Sequence, residues 1–257
     1  ILYPLYFVVI ASVSSPTAVN SGQVLLLPKD VTLNGYRKIL EYEPLWKGYA
    51  NSIFYTVAGT LINLAVTIPA GYALSRKHLF GGRPVMFLFA FTMFFGGGMI
   101  PTYMVVKNLG MLDTAWAMLL PCACSVYNII VTKTFMETSI PSELIDASRI
   151  DGCTDFSTFS SVVLPLSKPI LAVMAMYYSL GHWNSYFDAL IYLNDQKKYP
   201  LQMVLRELLL QNQIGSGMTS GDMASIAEKA QLAEQMKYGV IIIACIPMML
   251  IFPFVVK

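Results

Sequence analysis

The stretch ELIDASRIDGCTDFSTFSSVVLPLSKP, residues 143–169, is a polar, helix-forming segment set between long apolar segments. Its charged side chains include Glu143, Asp146, Arg149, Asp151 and Asp155. A charged side chain at the centre of a bilayer costs roughly 2.5–3.5 kcal/mol. The segment therefore lies in water on one side of a membrane protein, where another protein can contact it.

The same stretch predicts a short helix. Pro141 suits the first turn of this helix, and Gly152 suits a left-handed residue just past its end. Between them, four residues share one face at helical spacing: Leu144, Ala147, Ser148 and Asp151. Small residues in the middle of that face permit close approach to a groove on a partner, and acidic edges can pair with basic groups. Because isolated helices below about 12–15 residues are marginal in water, docking and the segment 155–164 must hold it.

The composition independently indicates a membrane protein. Hydrophobic residues make up 56% of the 257 residues, and charged residues only 12%. The charged share is about half that of an ordinary soluble domain. The net charge of +2 is too small to suggest a nucleic-acid partner.

Apolar runs predict an all-α membrane protein with six transmembrane helices. Five runs have the length of a span, at 51–74, 85–106, 114–135, 170–193 and 238–256. A sixth, at 1–13, covers only about 20 Å of a hydrocarbon core of about 30 Å. No basic segment of a signal peptide precedes it, so we expect the outer part of a truncated first helix.

Charge predicts the orientation. Arg76, Lys77 and Arg83 lie in one short connection that contains no acidic residue. Positive charge marks the cytoplasmic side of membrane proteins. Counting spans from there places the loop 137–169 in the cytoplasm and the loop 194–237 outside. Charge alone leaves the orientation open, because the outer segments also carry lysines and the loop 137–169 is net acidic; the resemblance described next favours this orientation.

The loop 137–169 resembles the cytoplasmic coupling loop of ABC importer permeases. The family pattern is Glu-Ala-Ala, three residues, Gly, then a Phe and Leu-Pro-Leu-x-x-Pro. Here Asp146-Ala147-Ser148 is followed by Gly152, Phe159 and the run LPLSKP at 164–169. Asp for Glu keeps the charge and Ser for Ala keeps the small size, whereas Cys153 replaces a further Ala.

Other segments resemble the sugar-type permeases of that family. PAGYALSR at 69–76 looks like the end of the second helix, and MIPTY at 99–103 with NLGMLDT at 108–114 looks like an outer turn. GHWNSYFDALIYL at 181–193 and YPLQ at 199–202 are similar to a subgroup linked to poly- and oligosaccharide uptake. Alginate-type importers are among its relatives.

The resemblance implies a single transmembrane domain over 1–257, in the bacterial cytoplasmic membrane. It would pair with a second permease, dock two ATPase subunits that hold ATP and Mg, and receive a saccharide from a solute-binding protein outside. The chain itself would be no enzyme and hold no cofactor. The docking residues implied are Glu143, Leu144, Asp146, Ala147, Ser148, Asp151 and Gly152.

The outer half of the fifth span is the candidate substrate path. Trp183 and Tyr186 can stack on sugar faces, His182 and Asn184 can bind hydroxyl groups, and Asp188 lies near the outer water boundary. The alternative is that the aromatic residues form an interfacial belt while the polar groups bind one another between helices.

Other functions find less support in the residues. An ordinary amphipathic helix on the membrane surface is the alternative for the segment 141–152. A secondary transporter or channel driven by an ion gradient is the rival function, but spans two to five hold almost no ionisable residue deep in the membrane.

Gly96, Gly97 and Gly98 precede no Lys, so they indicate a kink or close helix packing rather than a phosphate-binding loop. No metal site and no catalytic set of residues at 194–237 is predicted.

Overall fold

The structure is a computed structural model and describes residues 2–76, 78–214 and 236–249. Over those ranges every regular element is helical and no strand occurs. The prediction of an all-helical protein is therefore confirmed for the described part. Residues 215–235, which belong to the predicted outer loop 194–237, lie outside it.

Helices of very different length follow one another along the chain. In order they are α1 Leu2–Ser12, α2 Pro16–Asn20, α3 Asn34–Glu41, α4 Glu43–Ser75, α5 Gly82–Phe94, α6 Met99–Asn108, α7 Ala115–Leu119, α8 Val126–Ser139, α9 Ser142–Ile150, α10 Asp155–Thr158, a π-helical turn Phe159–Val163, α11 Leu164–Leu166, α12 Lys168–Trp183, α13 Phe187–Tyr192, a 3-10 turn Gln196–Lys198, α14 Leu201–Ile214 and α15 Met236–Met249.

The chain divides into two compact units. The first comprises residues 1–53, 184–190 and 194–257. In it, α14 packs closely on the start of α4: a Cβ atom on Gly48 would lie 3.0 Å from Val204 Cγ2 and 3.3 Å from Leu201 Cα. The backbone N–H of Leu201 also donates to Ser52 Oγ at 2.8 Å. These contacts fix α14 firmly on its neighbour.

The second unit comprises residues 54–183 and 191–193. Its main core consists of buried side chains from α4, α8, α9, the π-helical turn and α12, and of Ile140 between α8 and α9. They are Ile68, Met136, Ile140, Ile145, Val163, Ile170, Met174 and Tyr178. The short polar segment at 143–169 therefore shares a core with three long apolar helices.

One predicted span is an uninterrupted helix. The run 51–74 lies inside α4, which begins eight residues earlier at Glu43 and contains Pro69. Among the described helices, α4 alone is long and apolar enough to cross a membrane by itself. Counting two sharply bent helix pairs as single spans raises that number to three.

Three other predicted spans are broken. The run 85–106 divides into α5 and α6, bent by 112° at the triple glycine, where Gly98 has φ +86. The run 114–135 breaks after α7, next to Pro121, and resumes at α8. The run 170–193 breaks between Trp183 and Phe187. Glycine and proline interrupt helices locally, whereas hydropathy averaged along a run does not register such breaks.

Candidate functional site

The segment after α8 forms the short helix that the sequence predicts. Pro141 precedes α9 in an extended conformation, and Gly152 follows its end with φ +78. The N–H of Gly152 donates to Arg149 O at 3.0 Å, and that of Cys153 donates to Ser148 O at 2.9 Å. This pair of bonds is a Schellman motif, which satisfies the terminal carbonyl groups and turns the chain sharply.

The exposed face of α9 differs from the predicted one. Ile145 and Ser148 are buried, and Ser148 Oγ donates to Ile145 O at 2.8 Å and shares a 2.9 Å hydrogen bond with Thr158. The placement of Ser148 on the docking face is therefore corrected, because its hydroxyl group binds inside the chain. At about 100° per residue, the outward face centres on Glu143, Ala147 and Ile150.

Ile150 is the residue on this face that the sequence reasoning missed. It is 86% exposed, although it is a large apolar side chain on a polar segment. Leu144 is 42% exposed on the flank of the same helix, and Asp146 and Asp151 are exposed beside it. An apolar residue in the last turn before an Asp-Gly pair was the signal available in the sequence.

The anchor of α9 is Ile145. Its side chain, 5% exposed, belongs to the core that α4, α8 and α12 build. Burying such a side chain contributes roughly 1.5–3 kcal/mol. The ion pair between Arg149 and Asp155, at 3.7 Å and largely exposed, contributes little. The apolar anchor therefore couples the position of α9 to the long helices.

A stack of three side chains forms a second connection between the segment 143–169 and α4. The rings of Phe159 and Tyr72 are 5.0 Å apart, and the Arg76 guanidinium lies 4.8 Å from the Tyr72 ring centre. Arg76 also donates to Ser75 Oγ at 2.9 Å. Burial is the main cause that lowers the pKa of Arg76 from its ordinary value, which agrees with a guanidinium held against the stack.

An open groove of about 780 Å³ lies beside α9. Its walls include Arg76 after α4, Glu137 near the end of α8, and Glu143 in the first turn of α9. Asp146 and Arg149 also line it. A partner that contacts the exposed face of α9 would therefore meet charges of both signs.

Replacing Gly152 tests the turn after α9. No atom lies within 4 Å of a Cβ built there, so any cost is backbone strain rather than collision. We expect Gly152→Val to impose roughly 1–3 kcal/mol of backbone strain and, by misplacing residues 153–169, to lower the transport activity that the resemblance implies. Gly152→Asn serves as the milder control, because Asn tolerates the left-handed region. Equal transport rates for the two variants would contradict this geometry.

Replacing Tyr72 tests the stack. Tyr72→Leu removes an aromatic pair and a cation–π contact, together worth roughly 1–3 kcal/mol, whereas Tyr72→Phe keeps both. In the ABC importer that the resemblance implies, we expect the Leu variant to hydrolyse more ATP per solute molecule imported, and the Phe variant to match the wild type. If Tyr72→Leu left the ratio of ATP hydrolysed to solute imported unchanged, the stack would have no part in transmitting movement from the segment 143–169 to α4.

Two residues of the candidate substrate path are buried inside the second unit. His182 is 6% and Trp183 2% exposed at the end of α12. His182 Nε2 lies 2.7 Å from Asn63 Oδ1 on α4, and Asn63 Nδ2 donates to Cys122 O. The burial of both side chains contradicts the prediction that His182 and Trp183 face the path, and His182 instead binds a polar group of another helix.

The other three path residues belong to the first unit. Asn184 is exposed and Tyr186 is 43% exposed, while Asp188 is half-buried and takes part in an interaction of its own. Gln202 Nε2 donates to Asn184 Oδ1 at 3.5 Å, and the Arg206 guanidinium lies 5.9 Å from the Tyr186 ring centre. The sequence analysis missed Gln202 and Arg206 on α14 as candidate site residues. They lie near Asn184 and Tyr186 only in the folded chain.

Comparisons with known proteins give concordant matches. A protein-family model described as the binding-protein-dependent transport system inner membrane component matches residues 45–257. The chain is 41% identical over 255 residues to the polygalacturonan/rhamnogalacturonan transport system permease protein YtcP of Bacillus subtilis, which covers 99% of this chain and 87% of that protein. It is 37% identical over 256 residues to protein LplC of the same organism, covering 100% of this chain and 85% of that protein.

A solved structure is also similar. It is the crystal structure of a bacterial ABC transporter involved in the import of the acidic polysaccharide alginate, with a TM-score of 0.88 and 34% sequence identity. The match covers 99% of this chain and 89% of that one.

Proposed function

Since the chain belongs to the inner membrane components of binding-protein-dependent transport systems, we propose that it conducts oligo- or polysaccharides through the membrane. It is a permease subunit of an ABC importer and not itself an enzyme. The names of YtcP and of the alginate importer both specify polysaccharides, which supports a saccharide cargo.

The assembly that we propose has a second permease, two ATPase subunits and a solute-binding protein. The two permeases enclose the translocation path, and the ATPases bind ATP and Mg on the cytoplasmic side. ATP-driven closure of the ATPases moves α9 as a lever and reorients the long helices, which gives alternating access to the path.

We also propose six crossings of the bacterial cytoplasmic membrane within one domain over 1–257. They correspond to α1, α4, α5 with α6, α7 with α8, α12 with α13, and α15. The loop 137–169 then lies in the cytoplasm and the loop 194–237 outside. Helix α5 has no buried residue, and this supports contact of its apolar side chains with lipid or with the second permease.

One observation carries the proposal. Helix α9 presents an exposed face with Glu143, Ala147 and Ile150, while its Ile145 is fixed in the core of α4, α8 and α12. A rigid helix with one face anchored in the membrane helices and the other exposed is what transmission of force from a cytoplasmic ATPase requires.

Affinity purification tests the assembly. We expect a tagged chain to co-purify with a second permease and an ATPase. Ile150→Asp places a charge in the centre of the docking face, so it should reduce the recovered ATPase while leaving the second permease bound. Leu27→Asp, at a residue that is also strongly exposed, is the matched control. Recovery of the ATPase with Ile150→Asp at the wild-type level would contradict docking through this face.

A further inference from the structure

The side chains of Asn184, Tyr186, Gln202 and Arg206 form a polar and aromatic cluster in the first unit. Gln202 and Arg206 lie four residues apart on one face of α14, and each contacts a residue of the segment that follows α12. All four are at least partly exposed. We call these four residues the Arg206 cluster.

The scaffold beneath the Arg206 cluster is rigid. The opposite face of α14 is buried through Leu201, Val204 and Leu208. The preceding turn is held by Asn51, whose Nδ2 donates to Lys197 O at 2.7 Å and to Tyr199 O at 3.0 Å. Binding sites on a helix whose own packing is fixed are preorganised, so the cluster would lose little freedom when it binds a ligand.

Charge in the cluster is positive. Among the residues that the structure describes, none forms an ion pair with Arg206. The adjacent Glu207 interacts electrostatically with both neighbours: burial raises the pKa of the Glu207 carboxyl group while Arg206 lowers it, and the Glu207 carboxylate adds to the burial that raises the pKa of the Tyr42 hydroxyl group. Asp188 is half-buried and has an interaction of its own. Arg206 is the one cation among the four residues of the cluster, and no ion pair within the described residues neutralises it.

We propose that the Arg206 cluster is a binding subsite for a carboxylate-bearing sugar residue, a hexuronate. The planar guanidinium of Arg206 binds a carboxylate through two parallel hydrogen bonds. The exposed ring of Tyr186 supports the apolar face of the sugar ring. A primary amide has two donor hydrogens and an acceptor oxygen, so the Asn184–Gln202 pair can bind hydroxyl groups after forming its own bond. This subsite rests on the proposed function, a saccharide importer.

Direct binding to the assembled importer, without the solute-binding protein, tests the subsite. The two probes are radiolabelled oligogalacturonate and the same oligomer with its carboxyl groups reduced to alcohols. We expect the wild type to prefer the acidic oligomer, and Arg206→Gln to raise its Kd about tenfold, as expected for loss of a charged hydrogen bond. The Kd for the reduced oligomer should change less than about twofold.

Two variants sharpen the test. Arg206→Lys keeps the charge but not the planar fork, so its Kd for the acidic oligomer should lie between those of wild type and Arg206→Gln. Lys197→Gln removes an exposed cation outside the cluster and should change neither Kd. The subsite is refuted if Arg206→Gln alters both Kd values equally or neither, or if the wild type binds the two oligomers equally.

A separate measurement of uptake distinguishes failure of the subsite proposal from failure of the proposed function. ATP-driven uptake of the reduced oligomer, without preference for the acidic one in binding, would refute the subsite and leave a saccharide importer. A complex that binds and imports neither oligomer would count against both proposals.

Discussion

Replacing Ala147 by Trp is expected to block docking of the ATPase on α9. Ala147 lies on the exposed face of α9, between Glu143 and Ile150, where a small side chain permits close approach of a partner. An indole ring there would hold the ATPase surface away. We expect stimulated ATPase activity and uptake to fall by about tenfold or more, since disrupting a hot-spot contact near the centre of an interface costs about 2 kcal/mol or more.

The membrane core should survive this change, because Ala147 is exposed and the anchor Ile145 stays in place. Thermal unfolding of the Ala147→Trp chain is therefore expected to match the wild type. Ala147→Ser is the control of similar size and should keep both activities. Full stimulated activity in Ala147→Trp would rule out docking through this face.

Replacing Gly59 by Ala is expected to have the largest effect on stability. A Cβ at this position would collide with the His182 ring, lying 2.5 Å from its Cε1 and 2.7 Å from its Cδ2. The histidine would have to move away from Asn63, which leaves buried polar groups unpaired. Overpacking costs about 1–3 kcal/mol, and an unsatisfied buried group costs about as much again. A lower thermal midpoint of the purified complex measures the effect.

Gly181→Ala is the matched control, because no atom lies within 4 Å of a Cβ built there. It should leave the midpoint unchanged or raise it, since Ala favours helices more than Gly. The double variant Gly59→Ala with His182→Ala should cost less than the sum of the two single changes, because removal of the imidazole makes room for the methyl group. Additive costs would show that the collision does not occur.

Local signals were sufficient to predict α9. Pro141 and Gly152 act on the backbone of their own segment, so the helix between them and the left-handed turn after it follow from the sequence. The uninterrupted span at 51–74 was also predictable from its own segment, because its apolar residues continue without a break. A kink was one of the two interpretations of Gly96–Gly98, and the 112° bend there agrees with it. The break after Trp183 was not predicted, since a few residues change the chain direction without changing the average hydropathy.

The parts that were missed depend on contacts between distant residues. Asn63 and His182 are 119 residues apart in the chain, and nothing near either one identifies its partner. From the sequence alone, Ser148 is expected to be a small surface residue; its burial depends on Thr158, which lies against it in the folded chain. Tyr72 and Arg206 likewise gain their roles from rings in other segments. Orientation of side chains about a helix axis is set by tertiary packing, which helical spacing alone does not specify.

Uptake by the assembled importer in sealed vesicles tests the central claim most directly. The vesicles enclose ATP together with the ATPase face of the importer, and loaded solute-binding protein is added outside. They should then accumulate oligosaccharide. We predict that omitting ATP or substituting a nonhydrolysable analogue stops uptake, and that ionophores which collapse proton and sodium gradients leave it unchanged. Uptake that continues without ATP and stops with the ionophores would contradict the account and identify an ion-driven transporter.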